Sequence, residues 1–175
     1  MGSLYDWSEA VSSSDISRFV SSLAVNITRD TDVSSPLHII VVLNGGFVFA
    51  SDILRALLPG IETHVDFVRA GKENNGRCRI KNKVSSDLQD KNVLVVDDFI
   101  NSGKTMKCVL KHISKMNPRS LRTCVFSVIE NQERKISPDY SVLSFPGKPG
   151  FFLAGYGSDP QRHLRSLYMV KEENP

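Results

Sequence analysis

The chain has 175 residues, 41% of them hydrophobic and 23% charged, which predicts one domain spanning residues 1–175 with little room for a second. A formal net charge of +3 is too small to indicate nucleic-acid binding by itself, although it suits an anionic ligand. Three cysteines without a C-x-x-C pair argue against a disulfide scaffold and against a zinc site.

The first half of the chain contains two predicted helices on either side of a predicted strand. Apolar residues in 16–23 recur at helical spacing behind the capping candidates Ser13 and Ser14. Residues 37–43 form a run rich in β-branched residues, and the turn Asn44-Gly45-Gly46 leads from it into a helical pattern that ends before Pro59. This order predicts a helix, then a strand, a tight glycine turn and a helix.

A second strand is predicted over residues 63–68, and a polar stretch follows it. Residues 71–86 are rich in Lys, Asn, Arg and Ser and carry almost no apolar side chains. A stretch of this length without a packing face is typical of a mobile or functional loop. We therefore expect a mobile loop over about residues 71–86.

The second half repeats the pattern of strand, loop and helix. Residues 92–96 predict a buried strand that ends at Asp97 and Asp98, and a helix with an apolar face over 106–113 follows the loop. Further strands are predicted over 121–129, 140–145 and 151–154, before a polar tail that closes on apolar residues 167–170. Strands that alternate with helices predict a mainly parallel sheet with helices on both faces, which binds ligands at the carboxyl ends of its strands.

The most informative motif is the run VLVVDDFINSGKT, which starts at Val93. A buried strand, two adjacent acids and a Ser-Gly-Lys-Thr turn that opens a helix present backbone N–H groups and a positive helix end to an anion. The run is not a Walker A loop, because Asp98 stands where that loop requires glycine. The alternative is an ordinary polar turn with a solvated Lys104, but paired acids at the end of a buried strand are costly without a ligand.

This segment resembles the phosphoribosyl-pyrophosphate (PRPP) binding motif of type I phosphoribosyltransferases. The resemblance extends over about residues 37–170 and is closest to hypoxanthine-guanine phosphoribosyltransferases, through VVLNGGFVFASDILRAL, VDFVR and AGYGSD followed by Arg165. It implies the α/β type I phosphoribosyltransferase fold, a mainly parallel twisted sheet flanked by helices with a small hood from the terminal segments. It also implies transfer of a phosphoribosyl group from PRPP to a purine-type base, which yields a nucleoside 5′-monophosphate and pyrophosphate.

The resemblance assigns roles to the phosphate and ribose sites. Asp97 and Asp98 would contact the ribose hydroxyls and stabilise positive charge that develops on the sugar. The 5′-phosphate would lie against the loop that begins at Asn101, in contact with Ser102, Gly103, Lys104 and Thr105. Pyrophosphate would contact Arg165 and the turn Leu43-Asn44-Gly45, which contains a cis peptide bond in the family. Mg²⁺ would arrive with the pyrophosphate oxygens and bind Asp159.

The base site resembles that of the family less closely. The resemblance implies that Phe152 stacks on the base, that the backbone of Leu153 hydrogen-bonds its edge and that Asp159 lies nearby, although Phe152 alone could equally be a core aromatic. Asn101 stands where the family has an aspartate that takes up a proton, and an amide cannot do so at neutral pH. Ile129 and Glu130 stand where the family has a lysine that reads the 6-oxo group, and residues 70–73 replace a Ser-Tyr pair.

These departures leave three interpretations open. The acceptor is a base other than a 6-oxopurine, with Glu130 accepting a hydrogen bond from an exocyclic amine. Alternatively, the chain is a slow 6-oxopurine enzyme in which Lys72 or Lys135 replaces the missing lysine. In the third, it is a PRPP- or nucleotide-binding regulatory protein with little or no catalysis.

The partners expected from the sequence are small molecules. PRPP and a nucleobase are the expected ligands, in a homodimer or homotetramer, without nucleic acid. No apolar run approaches the roughly 20 residues of a membrane-spanning helix, and the residues after Met1 lack the apolar core of a signal peptide. We therefore expect a cytoplasmic protein without a membrane partner.

Overall fold

The computed structural model describes residues 8–32, 34–72, 78–130, 136–147, 152–157 and 168–171. Within these ranges the elements follow one another in this order: β1 (Ser8–Val11), α1 (Ser13–Asp30), β2 (Leu37–Leu43), α2 (Gly46–Ala56), β3 (Thr63–Lys72), β4 (Cys78–Ile80), β5 (Asn92–Ile100), α3 (Lys104–Ile113), a 3₁₀ turn (Ser114–Met116), β6 (Ser120–Glu130), β7 (Tyr140–Pro146), β8 (Phe152–Ala154) and β9 (Tyr168–Lys171). No helix in these ranges is long and apolar enough to cross a membrane.

Six of the strands form one sheet in the order β4-β3-β2-β5-β6-β7. The five strands from β3 to β7 in this order are parallel, and only the edge strand β4 runs antiparallel to its neighbour. β2 and β5 lie in the centre, with Ile39 paired with Leu94. The mainly parallel sheet predicted from the alternating pattern is confirmed, and the carboxyl ends of β2 and β5 are neighbours at one edge.

The central strands are buried on both faces, which explains why their sequences are apolar without alternation. Ile39 and Leu94 belong to a core cluster that contains the buried faces of α1 and α2. Ile40 and Val95 belong to a second cluster on the opposite face, which contains the apolar residues of α3. Helices therefore cover both faces, so polar groups of the central strands reach solvent mainly at the strand ends.

The terminal segments form a separate three-stranded antiparallel sheet in the order β1-β9-β8. Val170 of β9 pairs with Ser8 on one side and with Leu153 on the other. This sheet corresponds to the hood that the resemblance implied. The strand β1 was not predicted from the sequence, because a strand of four residues carries no readable periodicity.

Several element boundaries differ from the prediction. The strand β5 does not end at Asp97 but continues to Ile100, with Phe99 and Ile100 still paired to β6. The helix α1 is capped by Ser12, whose hydroxyl accepts a hydrogen bond from Asp15 N at 3.1 Å, and not by Ser13 or Ser14. The pairing with β6 and the Ser12 cap shift these two boundaries by one to four residues, which is the usual error of pattern reading.

The predicted mobile loop contains more structure than its composition indicated. β3 continues to Lys72 and pairs with β4, so the start and the middle of the loop form a hairpin around residues 73–77, which lie outside the described residues. Val84 is buried and Ile80 packs on the same core cluster. The pairing of β3 with β4 and the buried Val84 after β4 hold the described part of this segment against the sheet. Mobility in this segment stays a prediction.

Candidate functional site

Two glycine turns meet the end of β5 where β2 also ends. A Cβ on Gly45 would lie 2.6 Å from Asp98 Cγ, and one on Gly46 would lie 2.9 Å from the carbonyl oxygen of Val96. A Cβ on Gly157 would collide with the carbonyl oxygen of Gly45. No side chain fits at these positions, because the backbones of residues 43–46, 96–98 and 155–157 approach one another closely. Together they form one surface. The Leu43–Asn44 peptide bond in this surface is cis, as the resemblance implied.

The two adjacent acids lie beneath this surface. Asp97 is 7% exposed and Asp98 is 6% exposed. Asp97 Oδ1 accepts a hydrogen bond from Asp98 N at 2.9 Å, and Asp98 Oδ1 accepts one from Phe99 N at 2.9 Å. The regular alternation of β5 is interrupted here, since Val96 and Ile100 face opposite core clusters although four residues separate them. The carboxylates thus bind backbone N–H groups where the strand is irregular.

Burial raises the pKa of Asp97 well above its usual range, and the negative charge and hydrogen bond of Asp98 raise it further. Two carboxylates this close in a poorly solvated place cannot both ionise without a compensating partner. Asp97 therefore holds its proton more firmly than an ordinary aspartate does. A ligand that donates hydrogen bonds or brings positive charge relieves this repulsion.

The two helices that begin at this edge differ from α1 at their N-termini. α1 has the Ser12 cap and Asp15 in its first turn, whereas α2 and α3 have the N-cap residues Gly45 and Gly103, with no side-chain cap and no acid in the first turn. Gly103 adopts a left-handed conformation with φ 74°, and its carbonyl accepts from Lys107 N at 2.9 Å. The first N–H groups of a helix have no partner within it, so both starts can bind an anion.

The structure brings the predicted phosphate-loop residues to the start of α3. Ser102 is half-buried and Gly103 is buried, while Lys104 and Thr105 are exposed in the first turn. Lysine is unfavourable at a positive helix end unless an anion is present. This placement favours a phosphate here, and the role of each residue stays a prediction.

The residues predicted to read the base lie at the carboxyl ends of β5 and β6. Asn101 is exposed directly after β5. Ile129 is 9% exposed and packs in the core cluster of α1 and α2, so only its backbone is available to a ligand. Glu130 is exposed at the end of β6, where its Oε1 accepts a hydrogen bond from Ser144 of β7 at 2.9 Å. The carboxylate is therefore held at the edge by a side chain that the sequence pattern did not indicate.

Several predicted residues cannot be placed. Arg165, Asp159 and Lys135 lie outside the described residues. The backbones of Phe152 and Leu153 form β8, but the structure does not describe their side chains or that of Lys72. Stacking on the base, contact with pyrophosphate and metal binding by these residues stay predictions.

Two supporting contacts were missed from the sequence. Arg69 of β3 pairs with Leu43, the last residue of β2, and donates to Asn44 Oδ1 at 2.8 Å, so it steadies the cis turn from the neighbouring strand. The Tyr156 ring packs against both Phe49 and Phe126, which also contact each other, and its hydroxyl donates to Asp52 at 2.6 Å. The runs LHIIVVL and THVDFVR have equal length and pair residue by residue, so this equal length could have indicated that Arg69 lies beside the end of β2.

The described residues contain no cluster of three His, Cys, Asp or Glu side chains that could hold a metal ion. Asp97 and Asp98 nevertheless offer hard oxygen atoms side by side, next to two anion-binding helix starts. Mg²⁺ commonly binds through one or two carboxylates, with water and substrate phosphates completing its shell. The residues present therefore fit a magnesium ion that arrives with a phosphorylated ligand.

Comparison with known proteins gives a consistent result. The sequence pattern of the phosphoribosyl transferase domain matches residues 7–160. A hypoxanthine-guanine phosphoribosyltransferase of Aquifex aeolicus is 31% identical over 166 residues, which cover 90% of this chain and 91% of that protein. Phosphoribosyltransferase domain-containing protein 1 of Xenopus laevis is 29% identical over 164 residues, covering 85% and 70% of the two chains. The crystal structure of a hypoxanthine-guanine phosphoribosyltransferase from Bacillus anthracis is similar with a TM-score of 0.82 and 26% identity, covering 96% and 99%.

Proposed function

The chain belongs to the phosphoribosyl transferase domain family, and on that premise we propose that it transfers the phosphoribosyl group of PRPP to a purine-type base. The products are a nucleoside 5′-monophosphate and pyrophosphate. The observation that carries this proposal is the pair of buried acids, Asp97 and Asp98, between two helix starts that lack their own caps. This arrangement matches a substrate with a phosphate on each side of a sugar.

The two helix starts divide the phosphates of PRPP between them. The 5′-phosphate binds the start of α3 through backbone N–H groups, the hydroxyls of Ser102 and Thr105, and Lys104. Pyrophosphate binds the cis turn Leu43-Asn44-Gly45, with Arg165 adding positive charge. The close approach of Gly45 to Asp98 supports a position of the ribose over the acids, next to the pyrophosphate turn.

Asp97 and Asp98 bind the ribose hydroxyls and stabilise the transition state. As the bond from ribose to pyrophosphate breaks, the sugar acquires positive charge of the oxocarbenium type. A carboxylate pair held in a poorly solvated place interacts strongly with that charge and needs no reorganisation when it appears. Burial and the charge of Asp98 raise the pKa of Asp97, and positive charge on the sugar offsets both effects when it forms.

Mg²⁺ is the proposed metal, held by the oxygens of PRPP and by Asp159. When bound, it neutralises part of the charge on the departing pyrophosphate. The protein side of this site depends on Asp159, together with the hard oxygen atoms of the acid pair. Removal of the metal with a chelator should therefore abolish turnover and weaken PRPP binding.

The base binds beside β8, over the ends of β5 and β6. Asn101 can accept a hydrogen bond from a purine nitrogen but cannot take its proton, so transfer to a 6-oxopurine is expected to be slow. Glu130 supports a second candidate, a base with an exocyclic amine, because Ser144 holds its carboxylate at this edge. Each candidate makes a distinct nucleotide.

A product assay tests the proposal directly. The protein is incubated with PRPP, Mg²⁺ and one base at a time from a panel of 6-oxopurines, aminopurines and pyrimidines, and mass spectrometry detects the nucleoside monophosphate. We expect a purine nucleotide that forms only when PRPP and Mg²⁺ are both present. PRPP binding without any nucleotide product would contradict transfer and favour the regulatory interpretation.

A further inference from the structure

A cavity of about 220 Å³ lies at the edge of the six-stranded sheet where its parallel strands begin. Four residues that line it are the first residues of β2, β5, β6 and β7, namely Leu37, Asn92, Ser120 and Tyr140. The end of α1 lines it through Ile27 and Asp30. Asp97 lies five positions after Asn92 on β5, which is roughly 16 Å along a strand. This amino-edge cavity is therefore distinct from the acid pair at the opposite edge.

One buried donor at this cavity has no partner. Asn92 is 8% exposed, and its Oδ1 accepts a hydrogen bond from Ser120 Oγ at 2.9 Å. Its Nδ2 has no hydrogen-bond partner among the described residues. Side chains alternate along a strand, and Leu94 packs in the core cluster of α1, so Asn92 also faces the α1 side, where the cavity lies. Because an unpaired buried donor is unfavourable, the site lacks an acceptor that a bound molecule can supply.

Two arginines line the same cavity without a carboxylate within salt-bridge distance. Arg122 Nη1 donates to the carbonyl oxygen of Asp30 at 3.0 Å and to the Tyr140 hydroxyl at 2.8 Å. Arg119 Nη1 donates to Ser35 Oγ at 3.2 Å. Neither guanidinium forms a salt bridge within the part of the chain that the structure describes. A guanidinium has five N–H donors, so both arginines keep donors for an oxyanion.

Two acids add negative charge to the lining. Asp30 Oδ1 accepts a hydrogen bond from Arg29 Nε at 3.1 Å, and its Oδ2 accepts one from the Tyr140 hydroxyl at 3.1 Å. Asp32 Oδ1 accepts from the N–H and hydroxyl groups of Ser34, at 3.0 and 2.6 Å. These hydrogen bonds lower the pKa of both acids, so both are ionised at neutral pH. Each carboxylate has about four acceptor sites, which leaves some for a cationic donor.

Apolar side chains complete the lining, and the cavity is small. Ile27, Leu37 and Leu94 are buried members of the core cluster of α1 and α2. The volume of about 220 Å³ is below the roughly 300–1,000 Å³ of sites for drug-sized ligands. The cavity therefore suits a molecule that is much smaller than PRPP or a nucleotide and has an apolar part.

We propose that the amino-edge cavity binds a small zwitterion of the α-amino acid class with an apolar side chain. The ligand carboxylate accepts hydrogen bonds from the two arginines and from Asn92 Nδ2, and its ammonium group donates to the two acids. Its side chain rests on the three apolar residues. The two positive and two negative charges of the lining cancel, so a zwitterion complements both signs, whereas a simple anion or cation would face like charges. The site does not depend on the role of the acid pair.

Variants of the lining are compared with a matched control on the same ligand, leucine. Arg119→Gln removes one charge from an exposed side chain and should weaken leucine binding about 10-fold. Arg18→Gln changes an exposed arginine of α1 outside the lining and should bind leucine as the wild type does. Asn92→Leu replaces the unpaired amide by an apolar group of similar size, so it should also bind about 10-fold more weakly. Unchanged affinity in Arg119→Gln or in a folded Asn92→Leu would contradict the proposal.

Titration of the full ¹⁵N-labelled chain with leucine, followed through the NMR peaks of the Asn92 side-chain amide, is the decisive experiment. We expect these peaks to shift saturably, with a Kd on the order of 1 mM for a ligand of this size. Two analogues of leucine are the matched probes: 4-methylpentanoate lacks the ammonium group, and 3-methylbutylamine lacks the carboxylate. Each should bind at least about 10-fold more weakly than leucine. Asn92 peaks that leucine leaves unmoved, or equal binding of either analogue, would overturn the proposal.

Discussion

Asp66 and Asp97 lie on parallel strands of the same sheet, yet their surroundings shift their ionisation in opposite directions. Asp66 accepts hydrogen bonds from the N–H and hydroxyl groups of both Ser85 and Ser86, at 2.7–3.1 Å. Burial raises the pKa of Asp66, but the hydrogen bonds from Ser86, Phe67 and Ser85 outweigh it and leave the pKa below its usual value. For Asp97, burial raises the pKa, and the charge and hydrogen bond of the neighbouring Asp98 raise it further.

The difference separates a carboxylate that supports the fold from one that is held ready for a ligand. Asp66 links β3 to the segment after β4 through its hydrogen bonds with Ser85 and Ser86. These protein donors satisfy its charge. Asp97 and Asp98 each accept one backbone hydrogen bond among the described contacts, which is fewer than Asp66 accepts. Burial and the charge of Asp98 keep the pKa of Asp97 raised. A perturbed carboxylate pair of this kind is typical of functional sites.

The largest expected effect comes from removing both charges at the site. Asp97→Asn combined with Asp98→Asn should lower kcat by at least about 10³-fold, because the acids act on charge that appears in the transition state. PRPP affinity, measured by calorimetry, should fall much less. Asp66→Asn is the matched control and should keep the kcat of the wild type. Equal turnover in the double variant and the wild type would show that the acids do not stabilise the sugar.

A gain is expected from restoring a base at Asn101. If the acceptor is a 6-oxopurine, Asn101→Asp should raise kcat/KM for hypoxanthine or guanine by about 10²-fold, the lower end of what a positioned base contributes. Steady-state assays across the base panel give the comparison. Weaker PRPP binding without any gain in turnover would indicate a different acceptor, since the new charge would then only repel the neighbouring phosphate. A flat result with every base would favour a regulatory protein.

A smaller loss is expected from Gly45→Ala. The new Cβ would lie 2.6 Å from Asp98 Cγ, and a buried carboxylate has little room to move. Displacing the acid from the turn should lower kcat/KM by about 10²-fold or less. Gly71→Ala is the control, because its Cβ meets only the end of the exposed Lys81 side chain, 2.8 Å from Nζ. Equal kinetics in the two variants would mean that the contact between Gly45 and Asp98 is unimportant.

Asp66→Asn should affect stability instead of activity. The loss of charge-assisted hydrogen bonds is expected to lower the free energy of unfolding by about 1.5–3 kcal/mol at neutral pH. Because the folded pKa of Asp66 is lowered, its stabilisation is present above the ordinary carboxyl pKa and is lost as pH falls through the folded value. Urea unfolding at several pH values should therefore show the variant and the wild type converging in acid. A constant difference would assign the effect to packing.

The sequence predicted the fold further than it predicted the site. The runs 37–43 and 92–96 identified the two central strands, because burial on both faces makes such strands uniformly apolar. The extension of β5 through Asp97 and Asp98 was missed, since two acids contradict the apolar pattern of a buried strand. The bonds from Ser85 and Ser86 to Asp66 join residues about 20 positions apart in a segment without periodicity, so only the folded chain could reveal them.

Thermal unfolding of the unliganded Asp97→Asn variant, compared with the wild type across pH, tests the contrast between the two carboxylates most directly. A raised folded pKa means that Asp97 favours the folded state below its unfolded pKa and that this contribution is lost as pH rises through the folded value. We predict that the variant unfolds at a higher temperature than the wild type at neutral pH, by about 2–4 °C for each kcal/mol of repulsion removed. The advantage should shrink as the pH falls towards 4, the ordinary range of an aspartate. A variant that unfolds at a lower temperature at neutral pH, or by the same margin at every pH, would contradict the account.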